Sequence, residues 1–354
     1  MAKPAKLGYL FVSIILFMGL ILGTGCLNVP NVNFAAAIGG PVNVTTSGVT
    51  APNPAPGLSE MVAKVSPSVV VVDTEELAGS GWILTTDGLI VTNNHVIEGA
   101  GAVTITLAGG QTYTGKTIWT DAIDDLAVVD IGVTGLPAAR VGDSSKMSVG
   151  DWVVAIGNAQ GEGISATQGT ICCTDSCFRV GTQETLYHTL EITAPITYGN
   201  SGGPLLNMDG EVIGIVTGGE LTRTGTQVAG YAICSNTAQQ IIWDLIENSY
   251  VTRAWLGVNV SSVADLALTG WQPPVENGAF IIKVEADSPA GQAGLAAGDV
   301  ILNFGGREMN SADDLVEAVR DTEIGQPVTI AYWRDNNENT VIANLVQTPA
   351  NYTK

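Results

Sequence analysis

The sequence predicts a mainly β protein with two folded domains, on the basis of its length, its pattern of short apolar segments and a change of character near Thr252. The chain has 354 residues, which is long enough for two domains of ordinary size. Downstream of Leu58, short runs of β-branched and aliphatic residues alternate with Gly, Asn and Asp turns. Regularly spaced short strands are typical of a β-barrel or a β-sandwich. Examples of the strands predicted in the first domain are 68–73, 81–85, 89–92, 102–107, 126–131, 152–156 and 211–217.

Two helices are predicted in the first domain, which we place at residues 58–249. The first, Leu58–Val65, leads into the strands. The second, Thr237–Asn248, has Ile241, Ile242, Leu245 and Ile246 on one face, and Asn236 is its predicted cap. This second helix closes the domain.

Residues 252–349 are predicted to form a second, α+β domain. A longer helix over 311–321 has Ser311 at its start, and a shorter one covers 290–294. The size of this segment is within the range of an independent domain. Its predicted strands are 255–260, 279–285, 300–304, 328–333 and 340–346.

The charge of the chain excludes some classes of partner. Acidic residues number 34 against 14 basic ones, and the formal net charge is −20. Such a balance argues against nucleic acid and against anionic membrane surfaces as binding partners.

The N-terminus, residues 1–27, has the composition of an export signal. Two lysines precede an uncharged apolar run over 7–22, which small residues and Cys26 follow. Three outcomes stay open. Cys26 could carry a lipid, since Thr24-Gly25-Cys26 resembles a lipobox; residues 7–27 could remain as an anchor across a bilayer of roughly 30 Å; or the signal could be cleaved and discarded.

Residues 28–57 contain no charge and are typical of a flexible tether. We therefore expect an exported protein that is tethered to the outer face of the cell membrane through its N-terminus. The alternative is a soluble secreted or periplasmic protein.

Four further cysteines could form disulfides in an oxidising compartment. They are Cys172, Cys173, Cys177 and Cys234. Zinc is the rival interpretation, but Cys-Cys-x-x-x-Cys lacks the paired ligand spacing of common zinc sites. We favour disulfides and expect no metal.

A histidine, an aspartate and a serine form the candidate catalytic group. The chain has only two histidines; His95 follows an apolar strand, and a histidine can take and return a proton near neutral pH. Ser201 lies in Gly-Asn-Ser-Gly-Gly, where glycines permit a sharp turn and where the amides of Gly199 and Ser201 could point at one oxyanion. Asp125, at the start of a buried strand, is the predicted partner that would orient the imidazole.

Three motifs resemble the HtrA/Deg family of trypsin-fold serine proteases. They are Thr-Asn-Asn-His-Val at 92–96, Asp-Leu-Ala-Val at 125–128 and Gly-Asn-Ser-Gly-Gly-Pro-Leu at 199–205, with Gly79-Ser80-Gly81 and Gly230-Tyr-Ala-Ile as further matches. The resemblance implies two perpendicular six-stranded β-barrels with the triad between them. It also implies that Thr217, Gly218 and Gly219 pair with the substrate backbone as an added strand.

The same resemblance implies substrates, partners and assembly. The substrates would be unfolded or misassembled exported proteins, no cofactor would be needed, and the chain would form a homotrimer. The chain departs from the family pattern at Thr197-Tyr198, at Cys234 and in the cysteine cluster. The absence of an acidic residue at an obvious pocket position favours a small or medium aliphatic side chain before the cleaved bond.

The second domain resembles a PDZ domain. The matching segments are Trp255-Leu256-Gly257-Val258, Asp287-Ser-Pro-Ala and Ala293-Gly-Leu-Ala-Ala-Gly-Asp-Val-Ile. Amides near Leu256 and Gly257 could hold a peptide's C-terminal carboxylate, and the next strand could accept the peptide at its edge. Two rival functions are a non-catalytic chaperone or scaffold that acts through this domain, and a tethered adhesion lipoprotein.

Overall fold

The computed structural model describes residues 57–158, 163–180, 184–221, 227–248, 250–268 and 275–349. The predicted export signal, Cys26 and all but the last residue of the predicted tether lie outside these residues. Over the described residues, no helix has both the length and the apolar character that crossing a membrane requires.

The first barrel is a closed sheet of six antiparallel strands. In spatial order they run β1-β2-β3-β6-β5-β4. Helix α1 (Leu58–Val65) precedes them, and a short helix α2 (Asn94–Ile97) follows β3. The valine-rich β1 places β-branched side chains in the barrel interior, where they fit the pleated surface. The strands are β1 (Val69–Asp73), β2 (Ala78–Ile83), β3 (Leu89–Thr92), β4 (Val103–Leu107), β5 (Thr112–Asp121) and β6 (Leu126–Asp130).

The second barrel is also a closed sheet of six strands, in the order β10-β11-β12-β9-β8-β7. The predicted mainly β class with two six-stranded barrels is thus confirmed. Side chains of both barrels share one core with α1 and with the closing helix α3 (Ser235–Asn248). The strands are β7 (Trp152–Gly157), β8 (Ser165–Val180), β9 (Glu184–Ile192), β10 (Pro204–Leu206), β11 (Val212–Leu221) and β12 (Gln227–Cys234).

Helix α3 begins earlier than the sequence predicts. Its first residue is Ser235, so Asn236 lies within the first turn and is not the cap. The Asn236 side chain instead accepts a hydrogen bond from the amide of Ser144 at 3.1 Å and donates one to Asp143 at 2.9 Å. This contact joins the helix to the loop before β7, and only the folded chain brings the two together.

The second domain contains a sheet in the order β14-β15-β16-β18-β19, a small strand pair β13–β20, and three helices among its described residues. The strand predicted over 255–260 is broken at Gly257, where φ is 80°, because this left-handed conformation interrupts an extended chain. Ser311 caps α6 in a capping box with Asp314. The elements are β13 (Ala254–Trp255), β14 (Val258–Ser262), α4 (Val263–Leu268), β15 (Ala279–Val284), α5 (Pro289–Gln292), β16 (Val300–Phe304), β17 (Arg307–Glu308), α6 (Ala312–Arg320), β18 (Pro327–Arg334), β19 (Asn337–Asn344) and β20 (Val346–Gln347).

The predicted disulfides are absent, since Cys172, Cys173, Cys177 and Cys234 are all free thiols. The first three lie on strand β8, whose pairing with β9 shifts register three times between Ile171 and Phe178; four to five residues of a regular strand would span roughly 13–16 Å. A disulfide needs Cα atoms about 4.4–6.8 Å apart. Cys234 ends β12, which β9 separates from β8, and two strand spacings amount to about 9.6 Å. The strand order therefore separates Cys234 from the thiols of β8 by one intervening strand.

Candidate active site

His95 and Asp125 form a hydrogen-bonded pair. Nδ1 of His95 lies 2.7 Å from Oδ2 of Asp125, and the His95 amide donates to Oδ1 of the same carboxylate at 2.9 Å. The pairing of β3 with β6, with Thr92 opposite Ala127, brings the two residues together. The carboxylate is buried, whereas the imidazole is about one third exposed. A carboxylate at Nδ1 fixes the tautomer and leaves Nε2 able to accept a proton.

Asp125 is held in an uncommon backbone conformation, with φ of 52°. Its carbonyl oxygen accepts hydrogen bonds from the Asn93 side chain at 2.9 Å and from the Asn94 amide at 3.2 Å. Aspartate tolerates this left-handed region better than most residues. These contacts fix the direction in which the carboxylate points.

Thr217 contacts both Asp125 and Ser201. Its Oγ1 donates to Oδ2 of Asp125 at 2.7 Å, and its carbonyl accepts a hydrogen bond from Oγ of Ser201 at 3.2 Å. The Ser201 hydroxyl is therefore directed at Thr217, and within the described residues it makes no hydrogen bond to His95. The sequence indicated Thr217 only as part of a strand that pairs with substrate, so its contact with the carboxylate is a new observation.

The residues before Ser201 form a tight turn. The amide of Asn200 donates to the carbonyl of Thr197 at 3.1 Å, and Gly199, the third residue of the turn, has φ of 92°. A positive φ at this position is the mark of a type II turn and requires glycine or asparagine. Within the described part of the chain, the amides of Gly199 and Ser201 donate to no acceptor. Both remain available for an oxygen atom bound in the cleft.

Ser80, in the first barrel, holds the turn in place. Its hydroxyl donates to the carbonyl of Gly199 at 2.5 Å and accepts from the amide of Asn158 at 2.7 Å. Its own amide donates to the carbonyl of Ser201 at 2.8 Å. Ser80 is fully buried, so each of these bonds is shielded from water. The sequence indicated Ser80 only as the centre of Gly79-Ser80-Gly81, one of the segments that match the family pattern.

His95 and Ser201 line one cleft of about 520 Å³. Its other side chains are mainly apolar, and no carboxylate occurs among the described residues that line it. Arg179 is the charged residue on its rim. The apolar side chains of the lining are Leu77, Ala78, Val96, Phe178, Ile196 and Leu221, together with the ring of Tyr198.

Strand β11 has an unpaired edge beside Ser201. Strand β10 opposes β11 only over Val212–Ile215, while β12 pairs with it as far as Leu221. On the side of β10, the segment 217–219 therefore lacks a partner strand within the described residues. An unpaired edge presents amides and carbonyls with which another extended chain can pair.

The predicted carboxylate loop of the second domain lies at the start of an edge strand. Leu256 is buried, and its carbonyl accepts from the amide of Ala290 at 3.0 Å. The carbonyl of Gly257 accepts from the amide of Glu285 at 2.9 Å. Val258 then begins β14, which is the first strand of its sheet, and α6 contacts the same strand. Trp255 ends β13, directly before this loop.

Helix α6 also contacts the second barrel. Tyr187 donates to the carboxylate of Asp313 at 3.2 Å. Nε2 of His188 lies 2.9 Å from Asp321, and its Nδ1 lies 3.1 Å from Asp175. The hydrogen bond to Asp321, followed by the charges of the two carboxylates and the bond to Asp175, raises the pKa of His188 to about 9, although burial acts in the opposite direction.

A second set of contacts reaches the residues just before Asp125. Arg320, the last residue of α6, pairs with Asp124 at 3.1 Å. Arg253 forms ion pairs with both Asp121 and Asp124. Burial raises the pKa of Asp121, and the arginine compensates part of that penalty.

One group of side chains in the described residues has the spacing of a metal site. The ligand atoms of Asp175, His188 and Glu317 all lie within 4.8 Å of one another. Both ring nitrogens of His188 already contact carboxylates, and Glu317 pairs with Arg307. Ion pairing therefore accounts for the arrangement.

Comparisons with known proteins agree with this architecture. A family model described as a trypsin-like peptidase domain matches residues 79–215, and a PDZ domain model matches residues 254–345. A putative serine protease HhoB of Synechocystis is 38% identical over 269 residues, covering 73% of this chain and 64% of the relative. A probable periplasmic serine endoprotease, DegP-like, of Marinomonas is 35% identical over 77% of this chain and 57% of its own length. The chain thus spans less than two thirds of these curated relatives.

Solved structures of HtrA-type proteases match this chain over nearly their whole length. The structure of an HtrA-type protease, AlgW with tripeptide, is 31% identical, with a TM-score of 0.66, and the match covers 82% of this chain and 97% of that one. A second structure, AlgW with decapeptide, is 29% identical and has a TM-score of 0.67, with 82% and 98% covered. The chain therefore belongs to the HtrA-type serine proteases, with a trypsin-like peptidase domain followed by one PDZ domain.

Proposed function

We propose that this protein is a serine endopeptidase with Ser201 as nucleophile, His95 as general base and Asp125 as the carboxylate that orients His95. The observation that carries the proposal is the 2.7 Å contact between His95 and Asp125 in the cleft that also contains Ser201.

Acyl transfer at this site begins with a rotation of the Ser201 side chain. Its hydroxyl leaves the Thr217 carbonyl, donates its proton to Nε2 of His95 and attacks a peptide carbonyl. The amides of Gly199 and Ser201 then hold the tetrahedral oxyanion. His95 protonates the leaving amine, and water activated by His95 releases the acyl-enzyme.

The substrate class follows from the cleft and the strand edge. An extended peptide would pair with Thr217, Gly218 and Gly219 as an added strand, and folded proteins seldom present such a segment. The apolar lining, without a carboxylate among its described residues, favours apolar side chains over Lys or Arg. Unfolded or misassembled polypeptides fit this requirement, and clearing them is a quality-control function.

The second domain is proposed to bind peptide C-termini. The amides at Leu256 and Gly257 would receive the terminal carboxylate, and the peptide would add to the edge of β14 beside α6. Trp255 and Val258 directly precede and follow these two residues and belong to the same proposed loop.

We also propose export and tethering to the outer face of the cell membrane through the N-terminus, with Cys26 as a candidate lipidation site. The composition of the leader supports this proposal, as do curated relatives whose names include "periplasmic". A homotrimer is proposed on family membership.

A non-catalytic chaperone that acts through the PDZ domain is the second candidate. The hydrogen bond from Ser201 to Thr217 favours it, since the hydroxyl is not directed at His95 in this arrangement.

A fluorophosphonate probe and casein hydrolysis distinguish the two candidates. The purified protein should be labelled and should cleave casein, whereas Ser201→Ala should lose both properties, with activity falling by a factor on the order of 10⁴ or more. Ser148→Ala is the matched control, because it changes an exposed serine that does not line the cleft. It should behave as wild type. Labelling that persists in Ser201→Ala, or a wild type that neither reacts nor cleaves with or without a C-terminal peptide, would contradict the endopeptidase proposal.

A further inference from the structure

Two aromatic rings from different strands stack beside the cleft. Phe178, near the end of β8, lies on Tyr231 of β12 with ring centroids 4.4 Å apart and an interplanar angle of 17°. Tyr231 is buried, while Phe178 is half-buried and lines the cleft that contains His95 and Ser201. The stack thus has one face supported by the barrel and one face turned toward the space that a substrate would enter.

The Phe178 ring stands where a side chain of β11 would otherwise stand. A Cβ atom added to Gly218 would lie 2.9 Å from Cε1 and 3.0 Å from Cζ of Phe178. Gly218 pairs with Tyr231 across the sheet, and cross-strand partners project from the same face. Strand β11 therefore supplies no side chain here, and β8 supplies an aromatic ring instead.

The position of Ser201 determines which substrate residue meets this ring. Ser201 and Thr217 are neighbours in the cleft, since Oγ of Ser201 lies 3.2 Å from the carbonyl of Thr217. Rotation of the serine side chain leaves its backbone in place, so the residue whose carbonyl is attacked, termed P1, lies beside Thr217. The preceding residue, P2, then lies beside Gly218. Because residues opposite one another in a strand pair share a face, the P2 side chain projects over Gly218, on the side of Phe178.

We propose that Phe178 is a specificity-determining residue that forms, with Tyr231, an aromatic floor for the P2 side chain. This inference rests on the proposed endopeptidase function and adds a substrate preference to it. The floor selects an apolar or aromatic P2 residue, because such a side chain buries apolar surface on the exposed face of Phe178. The Gly218 backbone alone offers no such surface.

The surrounding charges do not compete for this position. Arg179 follows Phe178 and lines the same cleft. Its guanidinium lies 3.6 Å from Asp313 of α6, on the second domain. The Tyr231 hydroxyl donates to Glu220 at 3.4 Å, and the outer face of Phe178 is the aromatic surface presented near Gly218.

The experiment compares peptide substrates that differ only at P2. Peptides with a fixed aliphatic P1 and with Phe, Leu, Ser or Gly at P2 are assayed for kcat/KM with wild type, Phe178→Ala and Phe178→Tyr. We expect wild type to prefer Phe or Leu over Gly by about 10-fold. In Phe178→Ala this preference should fall to about 2-fold or less, with the Gly substrate little affected, and Phe178→Tyr should restore it.

Two further variants separate a local role from a general loss of structure. Tyr250→Ala removes an exposed ring just after α3 and should keep the wild-type P2 profile. Phe178→Leu keeps an apolar side chain but removes the ring, and its preference for Phe over Gly at P2 should fall well below that of wild type, even if Phe178→Ala is too unstable to assay.

The outcomes distinguish this inference from the proposed function. If Phe178→Ala and Phe178→Leu cleave peptides with an unchanged P2 profile, the aromatic floor is refuted while the endopeptidase activity stands. If wild type cleaves none of the peptides and no casein, both are refuted.

Discussion

The seam between the two barrels and the contact between the second barrel and the PDZ domain are built from different interactions. At the seam, Ser80 and Thr217 are buried and donate to a carbonyl and to a carboxylate. At the PDZ contact, His188 and Arg179 pair with carboxylates of which more than two fifths of the side chain is exposed. The seam consists of buried hydrogen bonds, whereas the PDZ contact consists of ion pairs that are partly exposed to solvent.

The seam is therefore expected to be insensitive to salt and pH, whereas the PDZ contact is expected to respond to both. A buried hydrogen bond is unaffected by salt, and its loss leaves a polar group without a partner at about 1–3 kcal/mol. An exposed ion pair contributes about 0–1 kcal/mol and weakens with salt. We therefore expect substitutions at the seam to reduce activity or stability strongly, and substitutions at the PDZ contact to change stability by small amounts that depend on pH.

The largest effect is expected for Gly202→Ala at the seam. Gly202 has φ of 84°, and an added Cβ would lie 2.1 Å from the Ser80 carbonyl oxygen and 2.3 Å from Oγ1 of Thr92. We expect the free energy of unfolding to fall by at least about 3 kcal/mol, with loss of peptidase activity. Urea unfolding measures the first quantity and casein hydrolysis the second.

Gly110→Ala is the matched control, since Gly110 has φ of 83° and an added Cβ would meet no atom within 4 Å. It should lower stability by only about 1–2 kcal/mol, the penalty of the left-handed conformation alone. Equal losses in the two variants would show that close packing at the seam is unimportant.

An intermediate effect is expected for Thr217→Val, which keeps the shape of the side chain but removes the donor to Asp125. We expect kcat to fall about 10- to 100-fold with KM little changed, because a charge-assisted hydrogen bond to the orienting carboxylate is lost. Thr167→Val is the control, since its buried hydroxyl has no hydrogen-bond partner in the described structure. A Thr217→Val enzyme with wild-type kcat would mean that this bond does not contribute to the site.

The smallest effect is expected at the PDZ contact, in His188→Gln. The pKa of His188 is raised to about 9 from an ordinary 6.5, so its ion pairs stabilise the folded state fully below the unfolded pKa and are lost as pH rises through about 9. At neutral pH the free energy of unfolding of wild type should be about 0.5–1 kcal/mol greater than that of His188→Gln. This difference should disappear above about pH 9. Melting temperatures from about pH 6 to 10 measure it.

Arg140→Gln is the control for that series, because it removes an ion pair with Glu211 that contains no histidine. The stability difference between wild type and Arg140→Gln should not change with pH. If the stability difference between wild type and His188→Gln also stays constant with pH, packing of the His188 side chain and not its charge stabilises the contact.

The order and spacing of residue types were enough to predict the architecture and to indicate which residues are candidates for the reactive group. The alternation of apolar segments predicted the strands, and the spacing of the motifs around His95, Asp125 and Ser201 indicated a peptidase domain before a PDZ domain. Short motifs carry this information because a sharp turn requires glycine and because proton transfer near neutral pH requires histidine. The roles of these three residues remain predictions until the variants are assayed.

The contacts between distant segments could be identified only in the folded chain. The bonds from Thr217 to Asp125 and from Ser80 to Gly199 join residues 92 and 119 positions apart, and no local pattern records such a pairing. The free thiols of β8 and β12 and the stack of Phe178 on Tyr231 depend on strand order and register. The sequence specifies the side chains, but strand register and barrel closure determine which of them come into contact.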